Sequence, residues 1–166
     1  KKQIATLVLV IVVLVGMAAM NHLSGSEGEI AEFRSSSDVP YPLGLSEEDI
    51  YDSEDYQREE GFGGYRLIGN GIAYILGGYP DVQDPYHVVK IYVESDQYRI
   101  LDICVGDSLG QAEDSLQEKG FQRQTSEDGS ACFQKGELML KLEVDGQSIK
   151  SILAEIQVTN KENVLF

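Results

Sequence analysis

The chain has 166 residues, 28 of them acidic and 13 basic, with a formal net charge of −15. That length accommodates an apolar segment, a spacer and one domain of roughly 100 to 120 residues, and excludes a second full-sized domain. The acidity argues against nucleic acid and anionic lipid headgroups as partners, because both are repelled within a Debye length of the surface.

Lys1 and Lys2 precede Ile4 to Met20, a run whose only polar residue is Thr6. As a helix it reaches roughly 25 Å, just long enough to span a bilayer. The lysines before it and the acids after it predict a cytoplasmic N-terminus, so residues 1–20 read as a single-pass anchor in the cytoplasmic membrane with the rest of the chain outside. A cleaved leader is the other reading, since Gly16-Met17-Ala18 places small residues where a signal peptidase reads them. No Cys precedes Cys104, so a lipid-modified cysteine near the leader is not available.

Residues 21–43 read as a flexible acidic linker, and residues 44–166 as the extracytoplasmic domain. From Asn21 to Glu60 there are 12 acidic residues against Arg34 and Arg58, a net of −10. Asn21 to Ser37 is rich in Ser, Gly and Glu and reads as a self-repelling spacer, which Pro40 and Pro42 then stiffen. No calcium-loop pattern accompanies the acids of Glu47 to Glu60, which suit a solvated helix face.

An internal repeat organises the domain into residues 44–95 and 100–158. Ser53 to Phe62 shares Glu, Asp, Glu, Gly and Phe with Ala112 to Phe121. Gly71 to Leu76 answers Gly136 to Lys141, and the spacing of Val88, Ile91 and Val93 answers Ile149, Ile152 and Ala154. In the second unit Ser108 and Gln111 suit a capping box, Leu109, Ala112 and Leu116 form a helical stripe, and Gly120 ends it. Leu138, Leu140, Leu142 and Val144 then alternate, Asp145-Gly146 turns, and Ile149 to Val158 continues as strand. In the first unit Ser46 and Asp49 suit a similar cap, and strands are expected at Tyr65 to Ile68, Ile72 to Leu76 and Val88 to Glu94. The expected fold is α+β: two tandem α-β-β-β repeats, helices on one face of an antiparallel sheet.

The string Ile103 to Ser108, the helix ending at Lys119-Gly120-Phe121, then Gly136 to Val144, Asp145-Gly146 and Ile149 with Ile152, resembles the tandem repeats of the β-lactamase inhibitor protein and the small outer-membrane assembly lipoproteins. The resemblance covers residues 44–158 and implies a domain that binds protein partners through a sheet surface; its turn and cap motifs transfer no binding residue. Val105 to Leu109, with Ala112, Leu116 and Gly120-Phe121, also resembles the start of a cell-wall-sensing PASTA repeat. That family continues into a Pro-rich strand pair, whereas residues 122–158 contain no Pro.

Little in the sequence suits catalysis. His22 and His87 lack a triad context, no short Cys-x-x-Cys exists, and Gly61 to Gly64 does not sit between a strand and a helix start. The reading is therefore a non-enzymatic interaction domain without metal or cofactor, partnered by an envelope protein or a cell-wall component. A cell-wall ligand sensor is the second reading and a hydrolase the third. Cys104 and Cys132 could form a disulfide around the 27 residues between them, or remain two buried thiols. Nine tyrosines without a tryptophan direct attention to the loop Tyr79 to His87, where Tyr79, Tyr86 and His87 are the candidate binding residues.

Overall fold

The computed structural model describes residues 28–51, 53–61, 63–77, 86–126 and 129–157. The apolar run Ile4 to Met20 lies outside them. No helix among the described residues is long and apolar enough to cross a membrane.

Alternating apolar residues and tight turns generate two antiparallel meanders. In the first, β1 (Gln57–Gly61), β2 (Gly64–Gly69), β3 (Ile72–Gly77) and β4 (His87–Val93) follow one another. Asn70 and Gly71, at φ 54° and 76°, supply the left-handed pair that the two-residue β2–β3 turn requires. After a short ribbon, β5 (Arg99–Ile100) with β6 (Ile103–Cys104), comes a ten-residue helix, Leu109–Glu118. The second meander is β7 (Gln122–Gln124), β8 (Ala131–Lys135), β9 (Leu138–Asp145) and β10 (Ser148–Ile156). Joined at β4 and β10, the meanders make one eight-stranded sheet in the order β1-β2-β3-β4-β10-β9-β8-β7.

This palindromic order reflects a two-fold relationship that the register makes quantitative. Ile91 lies opposite Ala154 and Val93 opposite Ile152, so adding 61 to the number of either β4 residue gives its counterpart on β10. The segments leading into each unit also correspond, at an offset of 62 (Gly44 with Gly106), and they meet strand residues that correspond at 61. Gly44 N–H donates to the Val88 carbonyl, as Gly106 N–H does to that of Ile149, and Glu47 N–H donates to Tyr86 as Leu109 N–H does to Gln147. Ser46 bridges His87 and Ser108 bridges Ser148. The 3,2 spacing of apolar residues on β4 and β10 also acquires a cause. Val89 and Lys150 are extra residues, bulged out at equivalent points, so the inward positions step by three once and by two thereafter.

Within the first unit the expected elements need correction. Ser46 does cap a helix start, its hydroxyl accepting from Glu48 N–H, but the helix is only a 3-10 turn, Glu47–Asp49, followed by another, Ser53–Asp55. The stretch aligned in sequence with the second helix becomes edge strand β1, its charges suiting an edge that faces water. The pairing of Gly71 to Leu76 with Gly136 to Lys141 is three residues out of structural register, since Ile72 lies opposite Val93 and Leu140 opposite Ala154. Among the described residues each unit thus gives four strands to the eight-stranded sheet, and only the second has an α-helix of its own.

Part of the expected linker belongs to the fold. Residues 28–35 form helix α1, and Leu109–Glu118 is α2. Phe33, Tyr41 and Leu43 are fully or almost fully buried, while Glu32 reaches Lys135 Nζ at 2.5 Å and Glu29 accepts from Glu137 N–H. Together α1, α2 and the β5–β6 ribbon contribute Phe33, Ala112, Leu116, Ile100 and Ile103 to the core formed by the inward residues of the sheet. Ser108 precedes α2 without a side-chain cap bond, so the expected capping box is absent, whereas Gly120 stops the helix at φ 85°.

Candidate functional site

The tyrosines explain the short helical turns of the first unit. Tyr74 lies opposite Ile91, as Leu142 lies opposite Ile152, so Tyr74 occupies the position of Leu142. Its ring packs edge-on against Tyr41 at 5.1 Å and Tyr56 at 5.7 Å, and Tyr51 meets the other side of Tyr41. Larger strand and loop side chains fill space that Ala112 and Leu116 of α2 help fill in the second unit. Burial, with nearby tyrosines, holds the Tyr74 hydroxyl neutral well above the ordinary range.

The candidate binding residues are divided by the structure. Tyr79 lies outside the described residues. Tyr86 is half-buried against the core, its ring 6.1 Å from that of Tyr65, and the Arg58 guanidinium stacks 3.6 Å above Tyr65. His87 opens β4 and pairs with Gly77. Cys104 and Cys132 are free thiols. Cys104 is buried, with Sγ 3.5 Å from the Tyr98 carbonyl, and burial pushes its pKa up. Cys132 alternates with buried Ala131 and Phe133, so it points from the opposite face of the sheet, which separates it from the core-side ribbon holding Cys104.

That opposite face carries the arrangement which reading along the chain misses. One row crosses the sheet through Ile68, Ala73, Tyr92, Leu153, Lys141 and Cys132, each opposite the next. The four apolar side chains at its start are half-buried, yet none belongs to the core cluster. The neighbouring row runs Glu59, Arg66, Ile75, Lys90, Glu155 and Met139. In it Arg66 pairs with Glu59 at 2.5 Å and Lys90 with Glu155 at 2.9 Å. Beside this second row Gly61, Gly64 and Gly77 lie opposite one another, and Gly61 and Gly64 leave bare backbone in a groove of about 310 Å³ that Glu59, Glu60, Arg66 and Lys90 also line. A Cβ on Gly64 would collide with the Leu76 carbonyl, so the close approach of β2 and β3 requires glycine there.

No protein-family profile and no curated protein matches the chain. Among solved structures, an extracellular protein containing an SCP domain from Bacillus anthracis is similar over 69% of this chain and 44% of its own, at 11% identity and a TM-score of 0.49. The chain therefore spans less than half the length of that protein.

Proposed function

We propose that this chain is a non-enzymatic protein-interaction domain whose contact surface is the face of its eight-stranded sheet opposite α1, α2 and the β5–β6 ribbon. One observation carries the reading: Ile68, Ala73, Tyr92 and Leu153 form a half-buried apolar band across four adjacent strands, while the residues of α1, α2 and the ribbon that join the core do so on the other face. The charges bordering this band are paired rather than massed, in a chain of net charge −15. An apolar centre with an aromatic residue and a polar rim is how recognition surfaces are built. The resemblance of residues 44–158 to sheet-surface binders agrees with it. The apolar run Ile4 to Met20 and the lysines before it support tethering to the cytoplasmic membrane with the domain outside and an envelope protein as partner.

Photocrosslinking in the native membrane tests this. A crosslinker at Leu153 should yield a discrete adduct that one at the exposed helix position Gln117 does not, and a Tyr92→Asp change should abolish it. Adducts from position 117 and none from 153 would place the contact on the helical side and refute the proposal.

A further inference from the structure

The rows from Ile68 to Cys132 and from Arg66 to Met139 cross the strands β2, β3, β4, β10 and β9, with the β4–β10 junction near their centre. A third row lies on the other side of Tyr92 and Leu153: Glu94, which accepts from the Tyr92 hydroxyl, and Ser151 opposite Glu143. Two chains of net charge −15 repel each other except through a surface that lacks its share of that charge. On this face Arg66, Lys90, Lys141 and the bulged Lys150 stand against Glu94, Glu143 and Glu155, a net of +1. It is a place where two copies can approach without that penalty.

We infer that the occupant of this face is a second copy of the same chain, docked sheet to sheet about a two-fold axis that runs along the strands at the β4–β10 junction. This rests on the reading of that face as the contact surface and names its partner. The axis lies in the plane of the interface, unlike the internal two-fold, which passes through the sheet. It sets β4 over β10 of the other copy and β3 over β9, and in such an isologous contact every pairing occurs twice. Tyr92 then meets Leu153, Ile75 meets Met139, Lys90 meets Glu155, and the flexible Lys141 covers Ala73, the smallest residue of its row. Apolar side chains meet apolar ones and opposite charges meet, with no like-charged pair among these described residues. The 2.9 Å ion pair between Lys90 and Glu155 within each chain is kept and joined to its image, so four charges alternate around the axis. The other isologous axis, along the row from Ile68 to Cys132, would set each residue of that row on itself. Lys141 would then face Lys141, a like-charge contact that disfavours that arrangement. Twist turns stacked sheets by about 30°, so the pairings of β3, β4, β9 and β10, nearest the axis, decide the fit. Strand and row spacings give a footprint of about 29 by 20 Å, roughly 600 Å² per copy against about 800 Å² for a standard stable interface, so the dimer is reversible.

The test is sedimentation equilibrium of the full-length chain in detergent. The unaltered chain should pass from monomer to dimer in the micromolar range, and Tyr92→Asp should stay monomeric. K90E and E155K should each weaken dimerisation about fivefold or more, since each reverses two contacts per dimer. An equimolar mixture of the two variants should regain the original association, because opposite charges then meet at both contacts between copies while the pair within each chain stays broken. A mixture no tighter than the separate variants, a dimer that persists in Tyr92→Asp, or an unaltered chain still monomeric at about 100 µM overturns the inference. The crosslinker at Leu153 gives a readout that needs no charge variant to fold: its adduct should have twice the mass of the chain. An adduct of any other mass leaves the contact face standing with a different occupant and removes the second copy; no adduct removes the face as well.

Discussion

Tyr92 and Leu153 lie directly opposite each other across β4 and β10, at the point about which the two halves of the sheet exchange. Because their offset is the same 61 residues that relates the flanking pairs, they are the same position of the repeat met from both sides. Both face away from the core, so the two-fold axis emerges between the last two residues of the apolar band, with Ile68 and Ala73 on the first-unit side. The proposed contact surface thereby crosses the junction of the units, with its larger part on the first.

Strand register in the second unit can be tested by stability. Leu140 is fully buried opposite Phe133 and Ala154, so Leu140→Ala should cost about 2–5 kcal/mol. Glu143 is exposed but accepts from the buried Ser151 hydroxyl, so Glu143→Ala should cost only about 1 kcal/mol. Urea denaturation would measure both, and equal losses would contradict the register.

Sequence pattern was informative where one strand or helix carried its own signal. The stripe Leu109, Ala112, Leu116 and the stop at Gly120 located α2, and the 3,2 spacing on β4 and β10 revealed the repeat. Residues 28–35 gave no such signal: Ile30 and Phe33 are their main apolar contacts, set among Glu, Ser and Arg, and tertiary packing stabilises α1. Residues 57–61 look helical by composition yet pair as β1, because β2 supplies a ladder that local preference does not foresee. The groove was illegible for a stronger reason. Arg66, Ile75 and Lys90 belong to three strands and become neighbours only through register.

Glycine requirements differ between the groove and the hairpins. Gly64→Ala would drive a methyl into the Leu76 carbonyl and open the β2–β3 ladder, at about 3 kcal/mol. Gly146 has φ 65° with open space around its missing Cβ, so Gly146→Ala should cost about 1–2 kcal/mol, the penalty of the left-handed conformation alone. Thermal melts of the two variants should rank in that order.

Alkaline titration should report on Tyr65. Burial, reinforced by Glu47, pushes its pKa up from 10.0 to about 12. The raised value favours the neutral, folded form, so this contribution is complete below about pH 10 and lost as pH rises toward 12. In Tyr65→Phe the decline of stability across that window should be shallower, followed by melts at stepped pH together with tyrosinate absorbance.

Thiol labelling separates the two cysteines. Without reductant, the unfolded chain should take up two iodoacetamide adducts, because both thiols are free. In the folded protein Cys132 should react first, since Cys104 is 7% exposed and burial raises its pKa, lowering its thiolate fraction. Mass spectrometry at timed intervals would show it, and an unfolded chain that takes up no adduct until reduced would indicate a disulfide instead.

A reciprocal exchange tests whether tyrosines take the place of a full helix in the first unit. Tyr74 and Leu142 occupy equivalent positions and both are fully buried, but Tyr74 packs beneath Tyr41 and Tyr56 whereas the second unit has α2. Tyr74→Leu should therefore leave a cavity and lose two edge-on ring contacts, each worth about 0.5–1.5 kcal/mol beyond its area, for a total of roughly 2–4 kcal/mol. Leu142→Tyr should fail for the opposite reason, forcing a ring and a hydroxyl into a filled core at about 1–3 kcal/mol. Because the positions lie in different halves, one change cannot supply the space the other needs, and the double exchange should lose about the sum. Chemical denaturation of the three variants would measure the losses. If Leu142→Tyr were neutral, the second unit would have room for a ring despite α2, and the explanation of the tyrosine cluster as a substitute for a helix would fall.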